Sequence, residues 1–143
     1  LESYVSLNME AFSKIVKKHD KMTGWQTQDS YMRGLKELRV KESDRLSAIA
    51  KGLSASGVKV KETIDSLTVY GKGGSVKGGV LIEANMDHRI AMAFLVMGMA
   101  SEKPIEIDDA TTIQTSFPNF YELMLNIGCK LTKPSSAHKD ETE

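Results

Sequence analysis

Residues 90–100 read Ile-Ala-Met-Ala-Phe-Leu-Val-Met-Gly-Met-Ala, a run without a single charge. Wound as a helix it is apolar nearly all the way round, through Ile90, Met92, Phe94, Leu95, Val96, Met97 and Met99. Such a helix has no face to offer water, so other elements are expected to bury it. It is far shorter than the about 20 residues of a membrane span, so that cover should be protein. The chain has 143 residues, and a domain near that size buries roughly two-thirds of its unfolded surface. Nineteen Lys and Arg balance nineteen Asp and Glu, with 41% hydrophobic and 27% charged residues. This is globular composition, which argues against a disordered segment, a collagen-like repeat or a basic nucleic-acid tail. Cys129 is the single cysteine, so no internal disulfide forms, and a reducing, cytoplasmic setting is expected.

The rest of the chain supplies the cover in alternating segments. Val5, Met9, Phe12 and Val16 lie on one face of a helix ending near His19, and Thr23 to Ser30 reads as irregular. A seam is therefore placed near residue 32. Lys36–Val40 reads as a short strand, followed by a helix from about Ser43 to Ser56 with Leu46, Ile49, Ala50 and Leu53 as its stripe and Gly57 beyond its end. Val58–Glu62, Leu67–Tyr70, Val80–Ala84 and Pro104–Ile107 read as further strands, with the glycine-rich stretch 71–79 as a connection. Ser116-Phe117-Pro118 opens a last helix carrying Phe120, Leu123, Met124 and Ile127, and Cys129–Thr132 reads as a closing strand. The expected core is Leu46, Ile49, Leu53, Phe94, Leu95, Met97, Leu123 and Met124. Helices crossing between strands make an α/β, or closely mixed α+β, layer architecture.

Two stretches concentrate chemistry. In Lys41-Glu42-Ser43-Asp44-Arg45, a helix starts at once after a strand, with Ser43 as its expected N-cap. Lys41 and Arg45 then face the volume into which the free helix N–H groups point, which makes an anion site. Glu42 in that setting could move a proton if burial raised its pKa. A solvated helix start with Glu42 and Arg45 paired at i, i+3 explains the same residues. In Asp87-His88-Arg89, Asp87 caps the buried helix while His88 and Arg89 occupy its first turn. Cations there oppose the macrodipole unless an anion compensates. The alternative is that Asp87 also pairs with Arg89 and His88 merely packs. The stretch 71–79 lacks G-x-x-x-x-G-K-[ST], and His19 and His138 have no partner at ligand spacing, so neither a phosphate loop nor a metal site is expected.

Arg39-Val40-Lys41-Glu42-Ser43-Asp44-Arg45-Leu46, Asp87-His88-Arg89-Ile90-Ala91-Met92-Ala93 and Ser116-Phe117-Pro118 occur in this order. Over roughly Arg33 to Leu131 the chain resembles the C-terminal domain of the 5-enolpyruvylshikimate-3-phosphate (EPSP) synthases. The sibling UDP-N-acetylglucosamine enolpyruvyl transferases share the fold but not the first two motifs. The resemblance implies an enolpyruvyl transferase-like unit at residues 33–133, a mixed sheet with parallel helices forming part of an inside-out α/β barrel. It leaves residues 1–32 unassigned and 134–143 as a polar tail. It also implies transfer of the enolpyruvyl group of phosphoenolpyruvate to the 5-hydroxyl of shikimate-3-phosphate, with release of phosphate and no metal or organic cofactor. Glyphosate is the family's inhibitor.

By the same resemblance Lys41 would assist proton transfer at the hydroxyl, and Glu42 would exchange a proton beside phosphoenolpyruvate. Arg45 and Arg89 would clamp its carboxylate, with His88 adjacent. Glu37 and Thr115 stand where family members often carry asparagine and lysine. The chain begins at Leu1 and lacks the family's N-terminal domain, so it reads as a fragment that needs that portion for activity, with no role for nucleic acid or membrane. The alternative is a non-catalytic anion-binding or folding module derived from the same fold.

Overall fold

The computed structural model describes residues 28–71 and 73–132. The amphipathic helix expected before His19 and the tail after residue 133 lie outside those residues. Three short strands, β1 (Ser30–Met32), β2 (Val60–Glu62) and β3 (Leu67–Val69), form an antiparallel sheet in the order β1-β3-β2. Leu67 and Val69 alternate inward and are buried, as a one-sided sheet requires. Because Ser30–Met32 is already a strand, the folded unit starts before the seam expected near residue 32.

Four more strands pair in parallel: β4 (Val76–Gly78) with β6 (Ser101–Lys103), and β5 (Leu81–Ile82) with β7 (Glu106–Ile107). Every register pair in both ladders is separated by 25 residues, from Val76 with Ser101 to Ile82 with Ile107. The gap between the ladders is bridged by Gly79 N donating to Pro104 O at 3.0 Å and Glu106 N donating to Val80 O at 2.9 Å. The two ladders are thus one parallel pairing, bent where Gly78 and Gly79 both take positive φ (62° and 68°). A third of the glycine-rich stretch, Val76–Gly78, is therefore strand rather than connection. A side chain at Gly78 would strike the carbonyl of Lys103, so glycine is what lets the two backbones meet.

Helix α1 (Arg45–Ala55) follows a 3-10 turn at Lys36–Val40, where a strand was expected. Leu38 is buried and Val40 exposed in that turn, whereas on a strand two residues so spaced would share one face. Helix α2 (His88–Gly98) connects β5 to β6 and packs on β6 and β7. Its Ile90, Ala91, Phe94 and Met97 are buried while Met92, Leu95 and Val96 are half-buried, and Met99 lies past its end with 51% exposure. The helix is therefore covered on one side, not all round. Two short helices, α3 (Thr111–Ser116) and α4 (Phe120–Asn126), complete the described chain. Met124 and Phe120 face the core, but Leu123 is 48% exposed and leaves the expected core list. Residues 129–132 form no strand, although Cys129 is buried. The core runs from Leu46 and Leu53 on α1 through Phe94 and Met97 on α2 to Ile113 on α3. Among the described residues no helix is long and apolar enough to cross a membrane.

Candidate functional site

The two motifs meet at a buried carboxylate. Asp87 is fully buried and caps α2 by accepting the backbone N–H of Arg89 at 3.0 Å. Its Oδ2 accepts Arg45 Nε at 2.7 Å and Ser43 Oγ at 2.8 Å, and its Oδ1 accepts Arg45 Nη2 at 3.3 Å. Arg45, in the first turn of α1, is only 4% exposed. A buried ion pair is stable only when its remaining hydrogen-bonding capacity is met, and here two side chains and a helix terminus meet it. Burial by itself would push the Asp87 carboxyl up, but the bonds from Arg45, Ser43 and the Arg89 amide outweigh it and hold the group below the usual carboxylate range. This is the anion that compensates the buried Arg45 cation, and it also caps the start of α2. The same carboxylate leaves Ser43 unable to cap α1; Asp44 does so instead, its Oδ1 accepting Ser47 N at 3.0 Å.

Glu42 is exposed and its carboxylate contacts Arg45 Nη2, the i, i+3 pairing weighed above. Lys41 sits in extended backbone at the end of the 3-10 turn, its ammonium 4.0 Å from Glu37. His88 is half-buried, as is Arg89. Arg89 Nε is buried and has no hydrogen-bond partner, an exception to the near-complete pairing of buried donors. It is a donor inside the protein with nothing yet to donate to. Directly before the cap, Asn85 and Met86 both adopt left-handed backbone, φ 53° and 58°, a turn that swings the chain from β5 into α2. Non-glycine residues pay for that conformation, and such costs gather at functional turns.

Glu42 and Ser43 from the first motif and Asn85 beside the second line one cleft of about 500 Å³, together with Ser47, Lys51 and Glu83. Lys41, Arg45, His88 and Arg89 do not line it. The structure thus joins Glu42, Arg45 and the first turn of α2 through Asp87, and sets Lys41 on the exposed side of the first motif. Sequence reasoning missed two members. The sequence marks Asp87 as a cap and, in its alternative, a partner for Arg89 but not for Arg45, because a bond spanning 42 positions leaves no local spacing. It marks Ser43 only as a cap for the same reason. The usable signal was the two unbalanced cations beside a lone acid.

Comparison with known proteins gives a consistent result. The family model described as EPSP synthase (3-phosphoshikimate 1-carboxyvinyltransferase) matches residues 9–124, so the match enters the segment left unassigned above. A 3-phosphoshikimate 1-carboxyvinyltransferase of Paramagnetospirillum magneticum is 56% identical over 101 residues, 71% of this chain and 23% of that protein. One from Brucella canis is 55% identical over 106 residues, covering 73% and 24%. Among solved structures, an EPSP synthase from Acinetobacter baumannii superposes with a TM-score of 0.72 at 32% identity, over 85% of this chain and 27% of the other. The chain spans about a quarter of the length of the curated relatives it matches.

Proposed function

Since the chain belongs to the EPSP synthase family, we propose that it is part of a transferase that moves the enolpyruvyl group of phosphoenolpyruvate to the 5-hydroxyl of shikimate-3-phosphate and releases phosphate. The observation that carries this is Arg89 Nε, buried without a partner in a residue whose own backbone N–H is held by Asp87, the carboxylate that also pairs with Arg45. A guanidinium held in that way is ready for a carboxylate, and a forked donor suits one better than an ammonium does. Asp87 fixes Arg45 from behind, so a substrate carboxylate would compete with Glu42 for the front of its fork. Release of Glu42 from Arg45 would in turn free its carboxyl group for proton exchange beside the methylene carbon, while Lys41 assists proton transfer at the hydroxyl. Several negative charges must be held together as the bond forms, and preorganised cations do this without reorganising. Glyphosate would compete at the same cations. A cytoplasmic setting belongs to the same reading.

One wall of such a site leaves the reactants in water, where each charge contact is several-fold weaker. The chain is therefore inactive by itself and gains activity with the portion its relatives carry beyond it. To test this, the matching stretch of the Paramagnetospirillum magneticum relative is replaced by the chain's own residues, and phosphate release from phosphoenolpyruvate and shikimate-3-phosphate is followed. Turnover by the hybrid, lost in its Arg89→Ala form, is the expected result. A folded hybrid without turnover would leave the chain a non-catalytic, anion-binding module.

A further inference from the structure

The described residue with the most fully engaged side chain outside the buried pair is Arg39, which none of the roles above uses. Its Nη1 donates to Asp44 Oδ2 at 2.9 Å, its Nη2 to Glu62 Oε1 at 2.9 Å and to Thr63 O at 2.5 Å, and its Nε to Ile64 O at 2.7 Å. Two of these acceptors are backbone carbonyls in the β2–β3 connection, and a third is the side chain at the end of β2. The fourth is the carboxylate that caps α1. Arg39 and Asp44 bracket Lys41, Glu42 and Ser43, so their ion pair closes the short loop that carries two expected proton-transfer groups, and the β2–β3 connection holds that closure from outside. We propose that Arg39 is a positioning residue: its guanidinium sets the backbone of Lys41 and Glu42 for enolpyruvyl transfer.

The chemistry requires the fork. A lysine presents one point charge and cannot reach two carboxylates and two carbonyls in separate directions, whereas guanidinium N–H groups are fixed in a plane. Glu42 already has a side-chain hold on Arg45, but that hold must break if a substrate carboxylate takes its place. From then on the backbone bracket is what keeps Glu42 near the reacting carbon. Lys41 lies on the same short loop between Arg39 and Asp44, so its backbone is set by the same bracket. Misplacing reacting groups by about 1 Å costs up to about 100-fold in rate.

This inference rests on the proposed function, and two measurements separate them. In the hybrid enzyme, Arg39→Gln is expected to lower kcat by about tenfold or more with KM changed about twofold at most, at a temperature where circular dichroism shows it folded. Arg39→Lys should stay impaired, since charge without the fork does not rebuild the bracket. A folded Arg39→Gln hybrid with unchanged kcat, or full recovery by Arg39→Lys, would overturn the proposal. In the chain alone, 15N relaxation of the Lys41, Glu42 and Ser43 amides should report order parameters falling from about 0.85 toward about 0.6 in Arg39→Gln, with α2 unchanged. That second measurement decides the bracket even if the unmutated hybrid proves silent and the functional reading fails; unchanged order there refutes it. Should Arg39→Gln fail to fold, Asp44→Asn keeps the helix cap and removes only the charge partner, and the same changes are expected at smaller size.

Discussion

A single carboxylate decides how the two motifs sit. Asp87→Asn removes the charge facing a buried guanidinium while keeping the shape, and breaking a buried pair this way costs about 3 kcal/mol. Urea denaturation of the two proteins near neutral pH should give that difference. The acid dependence follows from the depressed pKa of Asp87. In the unfolded chain an aspartate titrates near about 3.9, and in the folded chain it titrates lower, so the unfolded state takes the proton first. The stabilisation is complete above the unfolded value and is lost as pH falls through the folded one. The urea midpoints of native protein and Asp87→Asn should therefore converge below about pH 4. At this scale the sequence singles out residues but not their partners. Lys41, Arg45, His88 and Arg89 stand out because cations clustered about two helix starts are locally anomalous, and Glu42 stands out as the acid set among them. The partnership of Arg45 with Asp87 was not, because it is made by the fold.

Helix α1 and helix α2 meet where Gly52 lies under the ring of Phe94, and an added methyl group would overlap that ring. Phe94 is fully buried and cannot swing aside. Gly52→Ala would raise helix propensity by up to about 1 kcal/mol, yet overpacking a closed core costs about 1–3 kcal/mol, so a net loss of thermal stability is expected. A rise in melting temperature would mean that α1 and α2 can separate without cost. Helix positions were readable from periodicity because each helix buries a stripe, and Leu46, Leu53, Phe94 and Met97 all fell inside. The strand assignments were weaker. Lys36–Val40 alternates like a strand over too few residues to exclude a 3-10 turn, and Val76–Gly78 hides in a glycine run because its pairing is set by Ser101–Lys103 rather than by its own propensity.

On the scale of the whole chain, periodicity says which side of an element is apolar but not whether this stretch of sequence contains its cover. Leu123, Leu125, Ile127 and Met99 are apolar and exposed in a chain that spans about a quarter of its relatives. The constant 25-residue offset of the parallel ladders has a kinetic meaning. Both ladders close one and the same loop, so a single closure sets the register for β4 with β6 and for β5 with β7. Once that loop has closed, the second ladder adds hydrogen bonds at almost no further loss of chain entropy. Neither ladder should then persist when the other opens, and α2 within the loop should join them as one cooperative folding unit. Native-state amide exchange would reveal this as a common opening free energy for Gly79, Glu106 and Asp108, whose N–H groups span the bend and the second ladder. If Gly79 opens far more readily than Asp108, the bend at the paired glycines is a boundary between two units that fold separately.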